Sequence, residues 1–168
     1  MGYSEQVKAA FIMQEQGIRR TGTIAGGADW DGTNFDIFTI IGGPIKVRSI
    51  GAHVTALCVG GLVPQLNFTP AGGGAASVIC AAAAGVAWPV DTIVTFDGAV
   101  ATPLAATAQL GHSLPDPVGA EGFLNGQVLY FVPGVISVIN GVADLTAVLD
   151  WFMTFIPMTV DARVIVMP

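Results

Sequence analysis

Short runs of β-branched and aromatic residues, separated by Gly, Pro, Asn and Asp, dominate the chain from Phe35 onward. Runs of this kind fit pleated strands, in which successive side chains point to opposite faces. The pattern predicts nine strands, over residues 35–41, 45–57, 62–68, 76–83, 92–96, 127–132, 135–139, 145–157 and 162–166. Between them stand Gly42-Gly43-Pro44, residues 70–74, Asp97-Gly98, Pro133-Gly134 and Asn140-Gly141. Several of these are hairpin dipeptides. Apolar and polar residues alternate over residues 45–50, so that the polar members are expected to share one face. Residues 128–132 are apolar at every position instead, and such a strand needs cover on two sides, from a second sheet or a neighbouring subunit. Many short strands and few helices predict an all-β domain, an antiparallel sandwich or a barrel-like, jelly-roll-like variant.

The first residues carry a different pattern. Val7, Ala9, Ala10 and Phe11 recur at roughly helical spacing among Gln, Glu and Lys, which predicts a short amphipathic helix over residues 4–16, with Gly17 as its stop. After it, Ile18 to Thr23 and the Gly26-Gly27 pair offer little to pack and much backbone freedom, so this stretch is expected to be an arm. The predicted organisation is therefore a helix and extended arm over residues 1–34, followed by a β-sandwich domain over residues 35–168. Two segments fall outside the strand pattern. Residues 81–85 are Ala-rich, which favours helix over strand, but five residues cannot sustain a helix. Residues 104–122 form a long connection containing Gly111-His112 and Leu114-Pro115-Asp116-Pro117, and a loop of that length is usually functional or mobile.

Composition changes the picture in one respect. Of the 168 residues 52% are hydrophobic and 11% charged, whereas an ordinary soluble domain carries about 25% charged residues. So little charge does not coat a free monomer, and large exposed apolar patches mark interaction surfaces. A membrane span is not the explanation. The apolar stretch over residues 75–90 contains Ser77 and Gly85 and ends on Trp88-Pro89, and residues 134–155 contain Asn140, Asp144 and Asp150; a spanning helix needs about 20 uninterrupted apolar residues. Glu5, Lys8, Gln14, Glu15 and Gln16 likewise break up any signal-peptide core.

Charge is unevenly distributed. Five of the six basic residues lie in the first 48 positions, and from residue 49 onward Arg163 alone opposes seven acids. An acidic body repels phosphate backbones, and Lys8, Arg19 and Arg20 fall short of a basic patch, so nucleic acid is not an expected partner.

A search for chemistry finds no constellation. His53 and His112 lack a second ligand at zinc-like spacing, and His53, inside a strand, is expected to be a satisfied structural histidine. Ser49, Ser77, Ser113 and Ser137 lack the G-x-S-x-G elbow that presents a nucleophile. Asp144, Asp150 and Asp161 are expected to be solvated turn acids. The segment Asp29-Trp30-Asp31-Gly32-Thr33-Asn34-Phe35-Asp36 is rich in oxygen ligands, but a calcium loop starting at Asp29 needs glycine and glutamate where Asn34 and Ile40 stand. Cys58 and Cys80 are expected to be buried thiols acting as small hydrophobes, with a disulfide between them as the alternative. No cofactor, metal or catalysis is expected.

Residues 35–47, FDIFTIIGGPIKV, resemble the opening strand pair of small structural proteins encoded with tailed-phage head genes. Residues 150–158, DWFMTFIPM, continuing through Ala162-Arg163-Val164, resemble the closing strands of the same group. The resemblance implies a capsid decoration, or cement, protein: a β-rich subunit, commonly trimeric, that sits on the virion surface and bridges major capsid subunits after assembly in the host cytoplasm. It brings no catalytic residues, and it does not cover residues 1–23. The residues expected to make contacts are Arg19 and Arg20 in the arm, Trp30 after it, and His112 and Asp116 in the long connection. The competing expectation is a phage fibre or carbohydrate-binding module using Trp30, Trp88 or Tyr130 as exposed rings.

Overall fold

The computed structural model describes residues 16–19, 24–25, 34–57, 63–82, 87–96, 105–107, 129–140 and 148–166. Their regular structure is entirely β: β1 (Gln16–Arg19), β2 (Ile24–Ala25), β3 (Asn34–Ile41), β4 (Ile45–Ala56), β5 (Pro64–Pro70), β6 (Ser77–Val78), β7 (Ile93–Thr95), β8 (Ala105–Thr107), β9 (Leu129–Phe131), β10 (Gly134–Asn140), β11 (Val148–Pro157) and β12 (Arg163–Val166). Among the described residues no helix is long and apolar enough to cross a membrane. The strands form two antiparallel sheets. The first has seven strands in the order β1-β11-β4-β7-β8, with β2 also on β11 and β9 also on β4. The second has five, in the order β12-β3-β10-β5-β6.

Alternation produces the sandwich. Along β11, Leu149, Trp151, Met153 and Phe155 are buried in one row, while Asp150, Phe152, Thr154 and Ile156 point outward and are half-covered. Facing them from the second sheet are Ile37, Phe38 and Ile40 of β3, Leu66 and Phe68 of β5, and Ile136 and Val138 of β10, all in one continuous core. Burying a side chain of this size stabilises by about 1.5–3 kcal/mol, so these inner rows set the fold.

Three irregularities keep the rows in phase. The β3–β10 register skips Ile37, so that adjacent Ile37 and Phe38 both reach the core. The β4–β11 register skips Arg48, placing Ser49 opposite Thr154. A strict pleat would turn Ser49 inward with Val47 and Ile50 outward; the bulge instead leaves Ser49 with Lys46 on the outer face and buries Ile50. A third slip, at Thr55, ends the long strand.

Residues 35–47 and 150–164, from opposite ends of the β-rich stretch, are neighbours in the fold. β4 pairs with β11 and β3 with β12, and the turns joining β3 to β4 and β11 to β12, each of which crosses from one sheet to the other, pack together. The Met158 N–H donates to the Pro44 carbonyl at 3.0 Å, and Gly42, at φ 77°, lies so close to Asp161 that a Cβ there would overlap its carbonyl.

Several sequence expectations change. The predicted strand over residues 76–83 shrinks to Ser77–Val78, since the alanines that follow supply little for a pleated surface to pack. Within the long connection, Ala105–Thr107 pairs with β7. The stretch expected to be an arm contributes β1 and β2, both paired with β11. Gln16, the last residue of the predicted helix, belongs to β1; the rest of that helix lies outside the described residues.

Candidate interaction site

The outer face of the seven-stranded sheet gathers most of the chemistry-bearing side chains. Across its centre, His53 of β4 lies opposite Asp150 of β11 and Ile93 of β7. The His53 ring nitrogen Nε2 is 3.3 Å from Asp91 Oδ1. Asp91 adopts the left-handed conformation, φ 66°, in a turn pinned to β4 by the Asp91 N–H to Val54 carbonyl bond of 2.9 Å. Exposed pairs of this kind contribute little stability. Asp161 is an exposed turn acid as expected, whereas Asp150 sits in mid-strand and Asp144 lies outside the described residues.

The imidazole thus contacts Asp91, with Asp150 opposite it in the ladder. The Ser49 and Thr154 hydroxyls are bonded to each other at 2.6 Å. Ser49 is also four residues from His53 along β4, about 13 Å at strand rise, far outside proton-transfer reach. Among the described residues no group of three His, Cys, Asp or Glu is placed to hold a metal ion. Cys80 is a buried free thiol whose sulfur accepts the Leu66 N–H at 3.3 Å; Cys58 lies outside the described residues.

A different surface emerges at the end of the sandwich where the chain crosses between the sheets, from β3 to β4, β9 to β10 and β11 to β12. β9 pairs with the first residues of β4, placing Tyr130 opposite Lys46 and Phe131 opposite Ile45. On the other side of β4, Lys46 faces Ile156 and Ile45 faces Pro157. Two rows therefore cross β9, β4 and β11 at this end: Tyr130, Lys46 and Ile156, then Val132, Pro44 and Met158 just beyond the strand ends. Tyr130 is 61% exposed, Val132 53%, Met158 44% and Val160, in the adjoining turn, 68%. The strand segment expected to need cover on both faces has it on one, where Phe131 is buried and Leu129 packs against the core. Its other face exposes Tyr130 and Val132.

Of the residues expected from sequence to make contacts, Arg19 falls in β1 with its backbone opposite Phe152. Arg20, Trp30, His112 and Asp116 lie outside the described residues. Trp88, a candidate sugar platform, is 2% exposed and belongs to the core, leaving Tyr130 as the exposed ring of the two that are described. Val132, Met158 and Val160 were not among the expected contacts. Their signal is apolar residues inside turn sequences, where polar residues normally stand. Comparison with protein-family models, with curated proteins and with solved structures finds no match to this chain.

Proposed function

We propose that this protein is a structural subunit of a virion that decorates and stabilises a tailed-phage capsid, bridging major capsid subunits as a homo-oligomer, with three copies as the expected number. The observation that carries this reading is the exposed apolar surface at the end where the chain crosses between the sheets: Tyr130, Val132, Met158 and Val160, with Lys46 among them. Aromatic and aliphatic anchors clustered on a rigid platform are the features of a protein-binding surface. Low overall charge supports it, as does the adjacency of the two segments that resemble head-decoration proteins. The work of such a subunit is contact, and it needs no nucleophile, metal or cofactor.

Tyr130, beside Lys46, also favours a second reading, a fibre or carbohydrate-binding module, because an exposed ring beside a hydrogen-bond donor suits a sugar face. Immuno-electron microscopy distinguishes the two. Antibody raised against the recombinant chain is applied to particles from the source that encodes it, with wild type compared to a Tyr130→Ala/Val160→Asp variant. The decoration reading expects label over heads, lost in the variant although its melting temperature stays within a few degrees of wild type. Label on tail fibres favours the second reading, and unlabelled particles contradict both.

A further inference from the structure

Eight large hydrophobic side chains are exposed among the described residues, and six of them lie at the two ends of the sandwich. Tyr130, Val132, Met158 and Val160 occupy the end where the chain crosses between the sheets, and Leu57 and Val90 lie at the opposite one. Val78 and Ile165 stand apart, on the edge strands β6 and β12. The second end is held by backbone bonds. Pro89 to Thr92 form a turn in which the Thr92 N–H donates to the Pro89 carbonyl at 3.3 Å. Two bonds of 2.9 Å, from the Val54 N–H to the Thr92 carbonyl and from the Asp91 N–H to the Val54 carbonyl, fix this turn to β4. Leu57 follows directly on the last residue of the same strand.

Charge divides along the same axis. Lys46 and Arg48, early in β4, and Arg163, the first residue of β12, lie toward the crossing end against one acid, Asp161. Toward the other end lie Asp91, in contact with His53, and Asp150, opposite His53 in the ladder, with no lysine or arginine among the side chains described there. Asp36 sits midway along the second sheet, accepting from the Ser137 hydroxyl at 2.8 Å. β4 has 12 residues, so the two ends are roughly 40 Å apart at strand rise, several Debye lengths at physiological salt. The basic apolar end therefore cannot meet the acidic apolar end within one chain. Two copies can bring them together. A two-fold contact between crossing ends would set Lys46 and Arg163 against their own counterparts, and like charges across an interface are unfavourable. Joining unlike ends pairs opposite charges around apolar anchors instead.

We infer that copies of this chain join head to tail: the end carrying Tyr130 and Val160 in one subunit docks on the end carrying Leu57 and Val90 in the next. A contact between two different patches closes into a ring when the rotation between neighbours permits it, and three copies in a ring can meet in no other way. The inference rests on the self-assembly in the proposed function, and it names a second copy as the partner of the surface that carries that reading.

The test uses two full-length variants, each blocked at one end. Tyr130→Ala/Val160→Asp blocks the first end. Val90→Lys/Asp91→Asn blocks the second, placing a cation where the basic end would dock and keeping at position 91 a residue that tolerates φ 66°. In sedimentation velocity each variant alone should run at the 17.2 kDa chain mass, and an equal mixture should give a species at twice that mass, because one intact contact remains per pair. That species also shows that both variants are folded. Should either double variant melt early, the single substitutions Val160→Asp and Val90→Lys take their place. If either variant still assembles alone, or if the mixture stays monomeric while both melt within a few degrees of wild type, head-to-tail docking is overturned and self-assembly stands on the wild-type result. Wild-type protein that sediments as a monomer overturns docking and self-assembly together, and head labelling by immuno-electron microscopy then decides the decoration reading separately.

Discussion

At Gly42 the backbone turns with φ 77°, and the space a Cβ would need is filled by the Asp161 carbonyl. Both constraints favour glycine, since a side chain would meet left-handed strain and a fixed backbone atom at once. Gly42→Ala should therefore cost about 1–3 kcal/mol, read as a lower urea midpoint at unchanged slope. A midpoint within error of wild type would show that the two turns are not locked together there. The turn glycine was legible in Gly42-Gly43-Pro44. Gly51 was not: it lies in mid-strand, where glycine is disfavoured, because Phe152 on the neighbouring strand lies over it and the Val94 carbonyl approaches from the other side. That reason sits about 100 residues away in sequence, and no local pattern carries it. The His53–Asp91 contact was hidden in the same way, since the left-handed turn at Asp91 brings the two together.

Strands are where sequence reading succeeded and where its boundaries slipped. The 2-residue period placed β3, β4, β10, β11 and β12 within a few residues, because each buries a row of large side chains. The bulges at Ile37 and Arg48 could not be placed, since they depend on the register of the partner strand. β1 and β2 were missed for a related reason: they are short, contain glycine or flank it, and gain order from β11, which lies far along the chain. The Ser49–Thr154 hydroxyl bond makes the bulged register testable. Ser49→Ala and Thr154→Val should each destabilise by about 1 kcal/mol, because each leaves a partly buried hydroxyl without its partner. The double variant should cost less than the sum of the two, and a double-mutant cycle by chemical denaturation measures the coupling. Strict additivity would place the two hydroxyls apart.

The all-β sandwich was legible at the scale of the whole molecule because turn residues and apolar runs agreed along most of its length. The surface at the Tyr130 end was visible only in part: β9 was seen to be apolar on both faces, but the exposure of Tyr130 and Val132 follows from the positions of β4 and β11 beside it. Tyr130, Val132, Met158 and Val160 come from two distant stretches of chain, and strand pairing alone brings them together. The proposed function requires that this end of the sandwich meets other protein and that the protein does not work as an isolated chain. Sedimentation velocity of the purified wild-type protein, over a range of concentrations, tests that requirement most directly. The account predicts a species at three times the 17.2 kDa chain mass; a single species at 17.2 kDa across the whole range would contradict it.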